Sequence, residues 1–552
     1  MIKDHSLVGL YRREFSNYSK QKFVQDLFAA CTVAAVALPL ALAFGTASGA
    51  SAAAGLVTAI VAGLVIGALS GAPYQISGPT GAMCPILIPL AQQYGMEGIW
   101  VAGLLAGIFL LLIGILKLGR FIAFVPAPVI TGFTSGIALS IVFGQLDNFF
   151  GVKSAPTTTA VGKVLWYIKE LPTPDPSSLI ISCLVIAFMI FWPKKWNAKV
   201  PSSLVGIILA TIISEGLSLP IAKIGEIPRS LFLDDHFSFS QMPWDNLQVF
   251  IAPAMAIAAL GAVESLLCGA VGGNMTGIRL RANQELIAQG VGNILIPFMG
   301  GIPATAAIAR SSIGITSGGQ TRMASIIHAI ILMASMFLLS GIISKVPMAA
   351  LAGVLLVTAW RMNEWDAIHF YFSKKFKTGI AAFLITLLAT IVLDLTQAIL
   401  VGSIFSALIF LNQVSEIDIV IEDVDSDKLI KKGLEVCHGC KNIKVAYLYG
   451  PLFFAATSYF NEAFANIDGI KYLVLSIRGM PFIDSSGLRV LEKLNDRLQA
   501  AGGGLMLAGL NPKVEEMLQR GGLIEDIGAD HIFWSADQAI IAASKLQAST
   551  PQ

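Results

Sequence analysis

Long apolar runs recur along the first three quarters of the chain and constrain its fold more than any other feature. Runs of about 17 to 25 residues, each long enough to cross a bilayer as a helix, begin at Asp26 and recur to about Leu411. We count fourteen candidate spans, seven on each side of the loop from Pro220 to Asn246. Charged residues make up 13% of the chain, against about 25% in an average soluble domain. The sequence therefore predicts a polytopic α-helical membrane protein.

Basic residues predict how these spans are oriented. The stretch before the first span contains five Lys or Arg residues between Lys3 and Lys22 and no cleavable signal, so we expect it to remain cytoplasmic. Alternating the spans from there places four more basic clusters on the same side: Lys117 with Arg120, Lys194 with Lys195 and Lys199, Arg279 with Arg281, and Arg361 with Lys374, Lys375 and Lys377. This agreement supports an even number of spans, and it predicts that both termini lie on the cytoplasmic side of the inner membrane.

The chain changes character after Asn412, where acidic residues open a segment of soluble composition. Apolar runs that resemble strands alternate there with helical patterns, which is typical of a small α/β domain. We predict strands at Lys444–Tyr449, Tyr472–Ile477 and Gly504–Ala508, and helices at Ser458–Ile467, Ser485–Gln499 and Pro512–Arg520. The predicted organisation is an N-terminal cytoplasmic segment (1–25), a transmembrane domain (26–412), a linker (413–433), the α/β domain (434–546) and a flexible tail (547–552).

Two interrupted apolar segments lie at corresponding positions in the two halves of the transmembrane domain. They are residues 75–83 (QISGPTGAM) and 300–310 (GGIPATAAIAR), and in each a Pro is followed by Thr and small residues. Such a pattern ends one helix and starts another. An unsatisfied backbone group in lipid costs on the order of 2 to 7 kcal/mol, so the breaks must line a cavity or lie inside the protein.

Half-helices that start near Thr80 and Thr305 would direct free backbone amides at one point. Each helix N-terminus carries roughly half a positive charge, so a small oxyanion or carboxylate fits between them. The alternative interpretation is that the small residues only allow helices to pack closely.

Glu264 lies deep in the apolar run from Val249 to Val271, where a charged carboxylate costs about 2.5 to 3.5 kcal/mol. We hypothesise that Glu264 binds and releases the proton that drives anion uptake. The alternative is a static glutamate whose hydrogen bonds join two spans. Cys268 is a soft ligand, and the two residues would make a poor site for sodium, so the proton is the favoured coupling ion.

The six cysteines do not suggest a disulfide framework, because four of them (Cys31, Cys84, Cys183 and Cys268) lie in predicted spans. Cys437-His-Gly-Cys440 has the spacing of a metal or redox motif, but no second pair of ligands accompanies it, and we interpret it as a turn. We therefore expect no metal, cofactor or enzymatic activity. The net charge of +2 gives no indication of nucleic-acid binding.

Several motifs, taken in order, resemble the sulfate permease (SulP) family, also known as solute carrier family 26. In the transmembrane domain they are Leu38–Phe44 (LPLALAF), Ile76–Ala82 (ISGPTGA), Leu260–Cys268 (LGAVESLLC) and Gly301–Arg310 (GIPATAAIAR). In the C-terminal part, Gly450–Ala455 (GPLFFA) and Phe482–Leu488 (FIDSSGL) resemble the STAS domain of that family. The likeness covers nearly the whole chain.

The resemblance implies two inverted repeats of seven spans that form a core and a gate domain, an elevator-like movement of the core, and a homodimer. It implies a small anion as substrate (sulfate, bicarbonate or a C4-dicarboxylate). With Glu264 as the proton carrier, we expect this anion to be taken up by proton symport. Three alternatives stay open: an uncoupled anion channel or exchanger, a nucleobase permease of the same membrane fold, and a membrane-anchored signalling protein whose STAS domain binds a cytoplasmic partner.

The resemblance also implies the site residues, which are Phe44, Thr80, Gly81 and Ala82 in the first half and Ala307, Ile308, Ala309 and Arg310 in the second. Phe44 follows an expected helix break at Pro39 and is otherwise an ordinary lipid-facing or core aromatic. Many members have Gln at the position of Leu40, so one polar contact is absent here. We expect Arg310 one or two turns beyond the second break, where it attracts the anion, offsets Glu264, or only lines the cytoplasmic vestibule.

In the STAS-like part, Asp484-Ser-Ser-Gly487 resembles the loop at which bacterial anti-sigma antagonists are phosphorylated. Phosphorylation of Ser485 or Ser486 is therefore one reading of this loop. The other, which we favour, is that Asp484 or Ser485 caps the helix that follows.

Overall fold

The computed structural model of the protein describes residues 7–119, 126–155, 160–193, 201–241, 244–393, 395–425, 429–430, 436, 442–466 and 469–549. They form two compact units, Met1–Ile404 and Phe405–Gln552. The predicted turn at Cys437 and Cys440 lies outside the described residues.

The first unit is built from helices, the last of which continues into the second unit. They are α1 (Leu7–Phe15), α2 (Lys20–Ala47), α3 (Ala52–Val61), α4 (Gly67–Leu69), α5 (Cys84–Ile115), α6 (Ala127–Gly144), α7 (Leu146–Phe150), α8 (Ala160–Glu170), α9 (Pro176–Phe191), α10 (Ser202–Gly216), α11 (Gln248–Thr276), α12 (Ala282–Leu295), α13 (Ile308–Thr316), α14 (Met323–Ile343), α15 (Met348–Met362), α16 (Trp365–Ser373), α17 (Lys377–Val392) and α18 (Leu395–Ser415). In the part of the chain that the structure describes, six helical segments of 18 or more residues are apolar enough to cross a bilayer, and five shorter apolar helices accompany them. The count of fourteen spans stays a prediction.

The two halves of this unit repeat one order of elements. Each begins with a long helix that contains an internal proline, Pro39 in α2 and Pro253 in α11. A second helix, a two-residue strand and a further helix follow in each half. The strands β1 (Ser77–Gly78) and β2 (Thr305–Ala306) pair antiparallel to each other. Antiparallel pairing of equivalent strands is the arrangement that an inverted repeat produces.

The expected break at Pro39 is absent, because α2 continues from Lys20 to Ala47. A proline in a helix removes one backbone hydrogen bond, a loss that close neighbours in a membrane helix bundle can offset. Such a neighbour is present, since a Cβ atom at Gly55 of α3 would collide with the carbonyl oxygen of Ala41. The two backbones are therefore in contact, and α2 continues through its proline.

The N-terminal segment packs against the transmembrane unit. Nε of Arg322 donates a hydrogen bond to Oε2 of Glu14 at 2.9 Å, and the guanidinium lies 4.3 Å from the ring centroid of Tyr11. Arg322 is 1% exposed. Nearby, the buried carboxylate of Asp26 accepts a hydrogen bond from the backbone amide of Gln320 at 2.7 Å. Helix α1 is thus an integral part of the unit.

Among its described residues, the second unit forms a five-stranded sheet between helices. Its elements are β3 (Asp418–Asp423), β4 (Ile443–Tyr449), α19 (Thr457–Ala463), β5 (Tyr472–Gly479), α20 (Ser485–Ala500), β6 (Gly504–Ala508), α21 (Pro512–Arg520), α22 (Leu523–Ile527), β7 (Ile532–Phe533) and α23 (Ala536–Ser549). The strand order is β3-β4-β5-β6-β7, in which β3 is antiparallel to β4 and the other pairs are parallel. Buried leucines of α20 pack on one face of the sheet, and Ala539 and Ala543 of α23 pack on the other.

Two boundaries differ from the expected ones. Strand β3 lies in residues 413–433, which the sequence predicts to be a linker, because its exposed acidic side chains hide the alternation of an edge strand. Helix α23 continues to Ser549, so residues 547–549 are helical where a flexible tail is expected.

Asp484, rather than Ser485, caps α20. Its Oδ1 atom accepts hydrogen bonds from the backbone amides of Ser486 and Gly487, both at 2.9 Å. The side chain of Ser485 is exposed and that of Ser486 is half-buried. Phosphorylation at these two serines stays a prediction.

Candidate functional site

The paired strands bring two helix N-termini together inside the first unit. After β1, Thr80 is extended (φ −129°, ψ 154°), and a 3-10 turn from Gly81 to Met83 leads into α5. After β2, Ala307 is extended (φ −108°, ψ 115°) and α13 follows. Both predicted breaks are therefore present.

The second half-helix begins at Ile308, three residues later than expected. Thr305 and Ala306 are extended because they pair with Gly78 and Ser77. The first helical hydrogen bond of α13 runs from the amide of Ser311 to the carbonyl oxygen of Ala307 at 2.9 Å. Helix geometry therefore leaves the three preceding amides without intrahelical acceptors.

Glu264 lies beside the first half-helix. Its Oε2 atom accepts a hydrogen bond from Oγ1 of Thr80 at 3.1 Å, and both residues are half-buried. The next residue of α11, Ser265, has its hydroxyl 3.0 Å from that of Thr305 in β2. Helix α11 therefore contacts both breaks, and it places a carboxylate at the first one.

Arg310 extends from the second half-helix to the first break. It lies in the first turn of α13, is 1% exposed, and donates from Nη2 to the carbonyl oxygen of Pro79 at 2.7 Å. Its Nη1 atom has no hydrogen-bond acceptor among the residues that the structure describes. A Cβ atom at Gly78 would lie 2.5 Å from Nη1, so only glycine leaves room for the guanidinium. Arg310 is the third residue of α13, so it lies within the first turn and closer to the break than the expected one or two turns.

Phe44 and Ile141 cover Gly81. A Cβ atom at Gly81 would lie 2.5 Å from Cδ1 of Ile141 and 2.9 Å from Cε1 of Phe44, and both covering residues are buried. Ile141 belongs to α6 and was missed because a single isoleucine in an apolar helix carries no motif.

The other four predicted site residues differ in their exposure to solvent. Ala82 is buried, Ala307 is half-buried, and Ile308 and Ala309 are exposed. Their side chains are apolar, so these four residues have only backbone groups with which to hold an anion. The structure thus brings together Phe44 with Gly81, Thr80 with Glu264, and Arg310 with the first break.

A cavity of about 900 Å³ lies beside this cover. Its lining includes Cys84, the first residue of α5, together with Ile141. The lining also includes Asp147 and Lys163, whose side chains form an ion pair with 2.9 Å between Oδ2 and Nζ. The cavity therefore borders the half-helix of the first break.

Replacing Gly81 with alanine is expected to lower the free energy of unfolding by about 1 to 3 kcal/mol. The added methyl group would displace Phe44 or Ile141, and overpacking of a buried site costs that much. Unfolding in mixed micelles of increasing denaturing detergent checks this. Gly341→Ala is the control, since nothing lies within 4 Å of the added atom, and equal stability of both variants would contradict the described packing.

Comparison with known proteins agrees with this architecture. The model of the sulfate permease family matches residues 23–387, and the model of the STAS domain matches residues 438–539. YvdB of Bacillus subtilis (strain 168), to which a sulfate transporter function is ascribed, is 31% identical over 95% of this chain and 98% of its own length. The bicarbonate transporter BicA of Synechocystis sp. (strain ATCC 27184 / PCC 6803 / Kazusa) is 27% identical over 90% of each chain.

Solved structures show the same fold. The murine solute carrier 26 family member A9, an anion transporter, matches with a TM-score of 0.83 and 21% identity over 96% of this chain and 93% of that one. The transmembrane domain of a cyanobacterial BicA matches with a TM-score of 0.62 and 27% identity over 71% of this chain and 98% of that one. The chain therefore belongs to the sulfate permease family of anion transporters, with a helical transmembrane unit and a C-terminal STAS domain.

Proposed function

We propose that this protein is a secondary active transporter that carries a small oxyanion or carboxylate across the membrane together with a proton. The observation that carries the proposal is Arg310, a buried guanidinium whose Nη1 donor is unpaired among the described residues and lies between the two half-helices. A buried donor without a partner costs about 1 to 3 kcal/mol, and more for a charged group. An anion bound at this point would remove that cost.

The backbone around Arg310 supports the same ligand class. The half-helices that begin at Gly81 and Ile308 each add roughly half a positive charge to that of the guanidinium. Small residues at the breaks allow a ligand to reach the amides. Sulfate, bicarbonate and C4-dicarboxylates all present oxygens that suit such donors.

Glu264 supports proton coupling. Its carboxylate accepts from Thr80 at 3.1 Å and is within electrostatic range of Arg310. When ionised, it repels an arriving anion and partly neutralises the guanidinium. Protonation removes that charge, so proton and anion binding favour each other.

The cover over Gly81 supports alternating access. By the family resemblance, α5 and α13 belong to the moving core and α6 belongs to the gate, and α6 carries Ile141. Movement of the core past α6 would uncover Gly81 to the opposite side. We place the protein in the inner membrane as a homodimer with cytoplasmic termini, so the described cavity opens outward.

Uptake by proteoliposomes tests the proposal. Purified protein is reconstituted, and uptake of radiolabelled sulfate, bicarbonate and succinate is measured with and without an imposed pH gradient. We expect Arg310→Met to raise the KM of the transported anion about tenfold or more, because hydrogen bonds to charged groups contribute about 1.5 to 3 kcal/mol. An unchanged KM would exclude Arg310 from the site.

The matched control is Arg361→Met, since Arg361 also donates to a backbone carbonyl, that of Met189 at 2.8 Å, and lies outside the two breaks. Its KM should equal that of the unmodified protein. Anion uptake without accompanying proton flux would identify an uncoupled channel or exchanger instead.

A further inference from the structure

Three polar side chains line one face of α12, behind the two strands. Glu285, Gln289 and Asn293 are spaced four residues apart, so they lie above one another on the helix, and all three are fully buried. We call them the α12 polar ladder. Buried polar side chains inside a membrane-spanning unit are costly and usually serve a function. The proposed binding of an anion at the two half-helices does not by itself require these three side chains.

Asn293 forms hydrogen bonds with the residue that precedes β2. Its Nδ2 donates to the carbonyl oxygen of Ala304 at 2.9 Å, and its Oδ1 accepts from the amide of Ala304 at 2.8 Å. Ala304 directly precedes β2. The side-chain amide therefore satisfies both backbone groups of this residue, as a neighbouring strand would.

Gln289 holds β1. Its Nε2 donates to the hydroxyl of Ser77 at 2.9 Å and also to Oε1 of Glu285 at 2.9 Å. Oε2 of Glu285 in turn accepts from the hydroxyl of Ser70 at 2.6 Å and from the amide of Gly71 at 2.9 Å. One helix face thus contacts both strands and the chain that leads into β1.

The ladder sets the positions of the two half-helices. Thr80 follows the end of β1 by two residues and Ile308 follows the end of β2 by two, so a shift of either strand moves the amides beyond it. The ladder residues hydrogen-bond to the strands and their approaches, which places them behind the site. They therefore act on an anion through the backbone that they hold.

We propose that Gln289 and Asn293 are positioning residues for anion binding, which fix the separation and direction of the two half-helix N-termini. This rests on the proposed function, because it assigns the ladder to the same site. A displacement on the order of 1 Å can cost about a hundredfold at a preorganised site, and we expect loss of the ladder to raise the KM of the anion about tenfold.

Asn293→Leu and Gln289→Leu test the proposal on the two strands separately. Leucine removes both hydrogen bonds to Ala304 in the first variant and the hydrogen bond to Ser77 in the second. Two measurements are made on each full-length variant: hydrogen exchange of residues 75–84 and 302–310, and sulfate, bicarbonate and succinate uptake kinetics. We expect faster exchange at 302–310 in Asn293→Leu and at 75–84 in Gln289→Leu, and a higher KM in both, with kcat changing less than KM.

Asn283→Leu is the matched control, since Asn283 lies on the same helix and its Oδ1 accepts a hydrogen bond from the backbone amide of Gly119 at 3.2 Å, away from the strands and the chain that leads into them. It should leave both readouts unchanged. Unchanged exchange in Asn293→Leu would overturn the proposal, as would faster exchange with an unchanged KM. Failure of the proposed function would give a different result. The unmodified protein would take up none of the three anions, while its residues 75–84 and 302–310 would still exchange more slowly than those of Asn293→Leu.

Discussion

Replacing Glu264 with glutamine is expected to make anion accumulation independent of an imposed pH gradient. Glutamine has nearly the same shape and can still accept the hydrogen bond that Thr80 donates at 3.1 Å, but it cannot take up a proton. With one coupled proton, a gradient of one pH unit stores 1.36 kcal/mol and supports about tenfold accumulation. Glu264→Gln should lose this tenfold accumulation.

The measurement is steady-state anion accumulation in proteoliposomes with an alkaline interior. Exchange of labelled for unlabelled anion at equal pH should persist in Glu264→Gln, because the half-helices and Arg310 are unchanged. The control is Glu97→Gln, since Glu97 is exposed, and it should accumulate anion as the unmodified protein does. A Glu264→Gln protein that keeps its full dependence on the gradient would reduce Glu264 to a static hydrogen-bond acceptor.

Replacing Glu14 with alanine is expected to lower the free energy of unfolding by about 3 to 5 kcal/mol, because it leaves the buried charge of Arg322 unpaired. The side chains of the two residues are 1% and 7% exposed, and the charged atoms Nη2 and Oε2 are 2.9 Å apart. Without Glu14, the guanidinium of Arg322 would retain its hydrogen bonds to the backbone oxygens of Ala68 and Ser70 and its contact with the ring of Tyr11. Neutral oxygens do not replace a carboxylate.

Unfolding in mixed micelles of increasing denaturing detergent, followed by tryptophan fluorescence, gives this difference. Arg12→Ala on the exposed side of α1 is the control and should change stability little. The double replacement of Glu14 and Arg322 by methionine should lose less than Glu14→Ala alone, since no unpaired charge remains. A loss below about 1 kcal/mol in Glu14→Ala would mean that the pair behaves as an exposed one.

Local chemistry predicted the breaks and much of the STAS domain. Proline, threonine and small residues at 75–83 and 300–310 mark a backbone that cannot continue as a helix, and the structure has extended residues at both places. Strand Gly504–Ala508 and helix Pro512–Arg520 have the predicted ends, because a glycine-rich turn and an N-terminal proline delimit them. These signals act within a few residues of one another.

Features that depend on distant contacts were not predictable. Pro39 reads as a break, yet α2 continues because α3 packs against its backbone. The second half-helix begins late because β2 pairs with a strand far away in the sequence. Ile141 carries no motif, whereas the four-residue spacing of Gln289 and Asn293 in α12 is a polar pattern that the sequence displays.

The pairing of β1 with β2 has a consequence for biosynthesis. Ser77 lies opposite Ala306, and 229 positions separate them (306 minus 77). The ribosome synthesises β1 long before β2. Until β2 is made, the backbone groups of Ser77 and Gly78 therefore stay unpaired in the translocon or the bilayer. Pairing of the two breaks is therefore a late event, which can be completed only after most of the second half has left the ribosome.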